Sequence, residues 1–348
     1  MNDISKIDRN FAVETSRNIP GIRFYDVKEP PFSIYGVFYE NGMFRRLPET
    51  VASSVSEGVH TLHDRTAGGR VKFVTNSSYV AIKAQMPAIG KMGHFALSGS
   101  GGFDLYVGKK EQYRGSFMPL YAMQSGYESV IRFENRKKRE ITINFPLYSS
   151  VSELYIGLEE GASLHSTAGY AQEKPLVFYG SSITQGGCAS RPGNAYTAMV
   201  ARALQMDHIN LGFSGNAKGE DAMAHYIKEL PMAAFIYDYD HNAPDTEHLA
   251  KTHRRMFQII RDANPELPIV ILSRPKYKLT DEEKQRQEII KKTYESAIAA
   301  GDRNVYFIAG NELMLYAKGD GTVDGCHPND LGFYSMARVL TRHLKAIL

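Results

Sequence analysis

Apolar positions in the first half of the chain recur in short alternating or β-branched runs, at residues 34–39, 70–74, 79–84, 103–107, 129–133, 141–145 and 153–158. A period of two puts successive side chains on opposite faces of a strand. Turn-forming clusters separate the runs, among them Asn41-Gly42, Gly68-Gly69, Asn76-Ser77-Ser78 and Asn135-Arg136-Lys137. No long helical period interrupts them. Residues 1–170 are therefore expected to form an all-β sandwich of jelly-roll type.

Near residue 170 the period changes. Residues 169–174 read as a linker, and beyond them apolar strands alternate with amphipathic helices. Strands are expected at 175–179, 208–211, 234–238, 268–272 and 305–308. Helices are expected at 195–204, 220–230, 246–263, 281–300 and 330–348. Five βα units imply a parallel sheet covered by helices on both faces. Residues 171–348 are expected to form a three-layer α/β/α domain with a five-stranded sheet in the flavodoxin-like order 2-1-3-4-5.

That order has a chemical consequence. In an open parallel sheet, ligands bind beyond the carboxyl ends of the strands, where strand order reverses. The loops after the first three strands converge there. They carry Gly180-Ser181-Ser182-Ile183-Thr184, Gly212-Phe213-Ser214-Gly215-Asn216 and Asp240-His241-Asn242. A serine hydroxyl, a glycine N–H and an Asn amide are the parts of a nucleophile with an oxyanion hole. The hydroxyl needs a base, and the loop after the fifth strand supplies Asp324-Gly325-Cys326-His327. This spacing lets one turn set the carboxylate against Nδ1 and leaves Nε2 free for Ser182.

Taken in order, these blocks resemble the SGNH (GDSL-like) hydrolase superfamily over roughly the last half of the chain. Residues 185–193 and 238–244 resemble a bacterial subgroup in which a β-sandwich precedes the catalytic domain. The resemblance implies Ser182 as nucleophile, His327 as base and Asp324 as the carboxylate that orients it. The oxyanion donors it implies are the Ser182 N–H, the Gly215 N–H and the Asn242 side chain. Two positions depart from the family pattern: Ser181 stands where an Asp usually precedes the nucleophile, and Asp240-His241-Asn242-Ala243 replaces Gly-x-Asn-Asp.

Other chemistries fit less well. Position 184 is threonine, so Gly-x-Ser-x-Gly is absent. No Gly-Lys-Ser/Thr follows the first strand. Asp238, Asp240, His241, His248 and His253 are close in sequence, but they divide between a strand end and a helix at a spacing of five, so neither a metal nor a cofactor is expected. A net charge of +3 without a clustered basic face does not suggest nucleic acid as a partner. No apolar run is long enough to span a bilayer. Residues 1–11 are polar and lack an apolar signal core. This leaves a cytoplasmic chain, or a secreted or periplasmic one whose signal has been removed.

The expected substrate is a small-molecule or oligosaccharide ester. No long apolar lid of the lipase kind is visible, and the expected rim is polar, with Arg191, Asn194, His241 and Asn329. A short acyl group on a sugar is the preferred reading. The alternatives are an esterase, thioesterase or lysophospholipase of another acyl class, and a glycan-binding relic of the fold. Arg191 either pairs with a structural carboxylate or meets substrate, and Arg274 and His241 are weaker candidates for substrate contact. The chain has two cysteines. If the triad forms, Cys188 and Cys326 approach each other and either join in a disulfide or remain two small free thiols.

Overall fold

The computed structural model describes residues 14–16 and 19–348, so the polar segment 1–11 lies outside the described residues. In chain order the strands of the first half are β1 (Ile22–Asp26), β2 (Ser33–Tyr35), β3 (Phe38–Glu40), β4 (Met43–Arg45), β5 (Arg70–Thr75), β6 (Tyr79–Gln85), β7 (Phe103–Val107), β8 (Gln112–Phe117), β9 (Gly126–Arg132), β10 (Arg139–Asn144), β11 (Glu153–Glu159) and β12 (Leu164–His165). One antiparallel sheet runs β1-β11-β6-β9. A second runs β12-β5-β10-β7-β8, with β2 added on β5. Val80, Ile82, Leu154 and Ile156 of the first sheet share a buried core with Val71, Phe73, Leu105, Ile141 and Ile143 of the second. The alternation seen in the sequence is thus the inward face of a sandwich.

Strands β1, β4, β8 and β12 lie outside the expected runs, and other details differ as well. The run at 34–39 divides into β2 and β3 at Gly36, whose φ is +70° and whose added Cβ would lie 2.2 Å from the Gly68 carbonyl oxygen. Three short helices also interrupt the strands: α1 (Glu49–Val55), α2 (Glu57–Leu62) and α3 (Leu97–Ser100). Ser56 caps α2 by accepting the Val59 N–H at 3.2 Å. Ala52 and Val59 are buried in a core shared with the C-terminal half, so α1 and α2 gain their stability from contacts far along the chain.

The second half contains β13 (Leu176–Gly180), β14 (His208–Gly212), β15 (Ala234–Asp238), β16 (Ile269–Leu272) and β17 (Val305–Ile308). Its helices are α4 (Ser182–Gln185), α5 (Tyr196–Leu204), α6 (Asp221–Ile227), α7 (Thr246–Ala263), α8 (Asp281–Ala299), α9 (Gly310–Leu313) and α10 (Asp330–Ile347). The sheet is parallel, in the order β14-β13-β15-β16-β17, as the sequence implied. Within β13, Leu176 and Phe178 pack with Val200 of α5 and Phe333, Met336 and Leu340 of α10. Val177 and Tyr179 face the opposite core, with Met223 of α6, Phe257 of α7 and Ile290 of α8. No helix among the described residues is long and apolar enough to cross a membrane.

A buried arginine ties the halves together. Arg46 follows β4, and its guanidinium donates to the carbonyls of Leu62 (2.9 Å), Asn210 (2.9 Å) and Gly212 (2.8 Å), and also to that of Arg65. It lies 4.8 Å over the Phe213 ring. Burial pushes its pKa down to about 9, still high enough to leave it charged at neutral pH. Arg46→Met removes the donors and leaves those carbonyls dry. It is expected to cost about 3 kcal/mol or more of unfolding free energy in a urea titration.

Candidate active site

β13 ends at Gly180, which lies in register with Gly212 of β14 and Asp238 of β15. The three strands therefore release their loops side by side. The turn after β13 is tight. An added Cβ on Gly180 would lie 2.2 Å from Thr184 Oγ1 and 2.3 Å from the Asp238 carbonyl oxygen. One on Gly212 would lie 2.1 Å from the Gln185 amide nitrogen. Glycine at both places lets the first turn of α4 sit directly against its neighbours. Ser181 is extended and its side chain accepts the Ile183 N–H at 3.2 Å, so it caps α4. An aspartate could make the same bond, which accounts for the departure at this position.

Ser182 opens α4 and is 8% exposed. Its Oγ is 3.0 Å from His327 Nε2. His327 Nδ1 lies 2.8 Å from Asp324 Oδ2, which sets the imidazole proton on Nδ1 and the lone pair on Nε2. Asp324 Oδ1 also accepts the N–H groups of Cys326 (3.0 Å) and His327 (2.8 Å). Burial works upward on the Asp324 carboxyl, but these bonds outweigh it and hold the group at about 2. The carboxylate thus fixes both the tautomer and the loop that bears it.

Asn242 sits in the loop after β15 and is partly buried; its Oδ1 accepts the Ala217 N–H at 3.3 Å. This orients the amide with Nδ2 left over. Gly215 has φ +71° and open space around its Cα. Among the described residues, no acceptor takes the Ser182 N–H, the Gly215 N–H or Asn242 Nδ2. Three donors on the loops of adjacent strands are thus left for a ligand.

The surrounding packing is built to hold this arrangement. Thr184 Oγ1 (2.8 Å) and Tyr196 OH (2.9 Å) both donate to Asp238 Oδ2 beneath the turn that bears Ser182. Burial pushes the Asp238 carboxyl up to about 7. Gln185 Nε2 donates to the Leu147 carbonyl at 3.1 Å, while its Oε1 accepts the Ser214 N–H at 3.0 Å. Tyr148 OH donates to the Ser182 carbonyl at 3.2 Å. The sandwich half therefore braces both α4 and the loop that bears Gly215.

The chain compares with known families accordingly. Residues 173–345 match the model of the GDSL-like lipase/acylhydrolase family, and residues 22–164 match that of the N-terminus of SGNH-hydrolase-type esterases. The chain belongs to the GDSL-like acylhydrolases. It is a carboxylic ester hydrolase. A GDSL-like lipase structure from Bacteroides ovatus is 27% identical, with a TM-score of 0.83 over 94% of this chain and 98% of that one. A salicylyl-acyltransferase of a tetracycline biosynthetic pathway is 21% identical, with a TM-score of 0.74 over the same shares, 94% and 98%. A family two carbohydrate esterase from Cellvibrio japonicus shares the two-part fold at 14% identity and a TM-score of 0.62, again over 94% and 98%. Comparison with curated protein sequences gave no match.

Within this acylhydrolase the remaining candidates fall as follows. Arg191 Nη1 pairs with buried Asp104 at 3.1 Å, and its guanidinium lies 3.9 Å over the Tyr113 ring, so it joins the two halves. Arg274 pairs with Glu283 at 2.9 Å and lies 3.7 Å from Asp240, which Arg286 also holds at 2.8 Å. Burial, then the Arg274 charge, push His241 down to about 3, and its Nδ1 is 3.7 Å from Cys326 Sγ. Asn329 caps α10 by accepting the Gly332 N–H at 3.1 Å, and Asn194 Nδ2 donates to Asp330 at 2.8 Å. His248 Nε2 lies 2.8 Å from the Lys218 carbonyl oxygen, and His253 Nδ1 lies 2.8 Å from Thr293 Oγ1, so neither is gathered with Asp238 and Asp240. Cys188 and Cys326 stand as free thiols.

One neighbour of His327 lies outside the residues the sequence singles out. The exposed His94, from the segment between β6 and α3, brings its ring centroid to 5.8 Å from that of His327. Nothing local in the sequence distinguishes it from a loop histidine; only the docking of the sandwich places it there. A separate groove of about 910 Å³ runs between α5 and α10, with Arg191, Arg202 and Arg338 in its wall.

Proposed function

We propose that this acylhydrolase is a serine-dependent esterase that removes short acyl groups, acetyl foremost, from a carbohydrate through an acyl-enzyme. We assign residues 1–170 to a sandwich domain and 171–348 to the catalytic domain. The observation that carries the reading is the relay from Ser182 Oγ through His327 Nε2 and Nδ1 to Asp324, with steps of 3.0 and 2.8 Å. Ser182 Oγ adds to the ester carbonyl carbon while Nε2 takes its proton. The oxyanion accepts bonds from the Ser182 and Gly215 N–H groups and from Asn242 Nδ2. The C–O bond to the alcohol breaks, and His327 returns the proton to that oxygen. Water, deprotonated by the same nitrogen, adds to the acyl carbon and releases the acid and Ser182.

The carbohydrate assignment is supported by the polar surroundings of the site and by the fold shared with proteins named carbohydrate esterases, including an acetyl xylan esterase from Butyrivibrio proteoclasticus. Rates on 4-nitrophenyl esters of rising chain length, beside an acetylated oligosaccharide, test it. A fall in kcat/KM beyond acetyl and propionyl, with acetate released from the oligosaccharide, is expected. A preference for long acyl chains would reassign the substrate to lipids.

Asn242→Ala tests the oxyanion site. The lost donor is expected to lower kcat by about 10²- to 10³-fold with little change in KM. A nearly unchanged kcat would remove Asn242 from the hole.

A further inference from the structure

His94, Cys188 and His327 each offer a ligand atom, and these atoms all lie within 4.8 Å of one another. The three come from the segment between β6 and α3, from the loop after α4 and from the loop before α10, so only the folded chain assembles them. Cys188 is 8% exposed and has φ +74°, the left-handed region that a residue with a Cβ rarely occupies. Such a backbone is retained where the surrounding structure requires the side chain in one place. Two imidazoles and a thiol make the nitrogen-and-sulfur set that suits zinc and disfavours magnesium or calcium. Asp324 completes the pattern, because a zinc-bound histidine commonly donates its other ring N–H to a carboxylate, and His327 Nδ1 is 2.8 Å from Asp324 Oδ2.

We propose that His94, Cys188 and His327 form a Zn²⁺ site that shuts the active site when the ion binds. With the Nδ1 proton held toward Asp324, His327 has one lone pair to give, on Nε2. That lone pair faces Ser182 Oγ at 3.0 Å. Zinc and the serine proton compete for it, so the bound ion removes the base. The thiol of Cys188 gives up its proton to solvent as the Zn–S bond forms, and no electron transfer is involved. The ligand set itself stands on geometry; only the loss of activity rests on His327 as base.

Wild type, His94→Ala and Cys188→Ser would be compared by equilibrium dialysis against ZnCl₂ with metal analysis. Co²⁺ spectra would report thiolate-to-metal absorption, and 4-nitrophenyl acetate turnover would be followed with Zn²⁺, with Mg²⁺ and after EDTA. Wild type is expected to bind one Zn²⁺, to lose turnover as it binds and to recover with EDTA, while Mg²⁺ does nothing. Each variant is expected to bind zinc at least about tenfold more weakly and to resist inhibition to the same degree. The Co²⁺ thiolate absorption should vanish in Cys188→Ser. Equal zinc binding in all three proteins, or none in wild type, overturns the site. Zinc held by these residues while turnover continues overturns the inhibition and the assignment of His327 as base, but leaves the site standing. Thermal unfolding of both variants without metal separates a lost ligand from a lost fold.

Discussion

Ser182→Ala is expected to lower kcat/KM on 4-nitrophenyl acetate by about 10⁴-fold or more, with the fold intact. Ser182 Oγ makes one hydrogen bond among the described residues, to His327. Ser181, not Ser182, caps α4, so the helix and its neighbours have no reason to move when the hydroxyl is lost. Ser181→Ala should behave in the opposite way, losing about 1 kcal/mol of stability with the loss of the cap while keeping a nucleophile. The pair separates chemistry from scaffolding at adjacent positions. Equal activity of Ser182→Ala and wild type would mean that another group attacks the ester. Burst kinetics with 4-nitrophenyl acetate, present in wild type and absent in the variant, would locate the acyl group on Ser182.

Asp324→Asn is expected to cost about 10³- to 10⁴-fold in kcat, although it only exchanges one carboxylate oxygen for an NH₂ group. An asparagine oxygen can still accept the two backbone N–H groups of this loop. Its Nδ2 would then face His327 Nδ1 and donate to it, which drives the ring proton to Nε2. In that tautomer Nε2 cannot accept a proton from Ser182. The carboxyl pKa of about 2 lies below the ordinary value of 3.8. The stability this group contributes is therefore present above pH 3.8 and is lost as pH falls toward 2. Between pH 5 and 8 Asp324 remains ionised, so kcat should not vary through its titration. An Asn variant as active as wild type would show that Asp324 does not set the tautomer.

The C-terminal half was largely legible because its two periods are local. Alternation in β13 sorts Leu176 and Phe178 from Val177 and Tyr179, and the helix periods that follow determine which face each strand covers. Once β13 lies between β14 and β15, the convergence of the loops bearing Ser182, Gly215 and Asn242 follows from parallel topology. Less of the first half could be read. β8 is a largely exposed edge strand without an apolar face, so its sequence gives no alternation to find. Val51, Val55 and Val59 do stand four apart, but the chain breaks at Ser56 into two helices too short to show a period, and both pack on residues from the other half. Tyr148 and His94 approach the site only through docking. No periodicity encodes such a contact, because it depends on surfaces that only the fully folded chain brings together.

That docking limits how the two halves can be inherited. Arg46 donates to the Asn210 and Gly212 carbonyls of β14, Arg70 of β5 pairs with Asp207 just before that strand, and Tyr148 bonds to the Ser182 carbonyl. A recombination event that joined this C-terminal half to a foreign sandwich would strand buried charges and carbonyls at the seam. The two gene segments are expected to travel and drift together, each substitution at the seam selecting its answer on the other side.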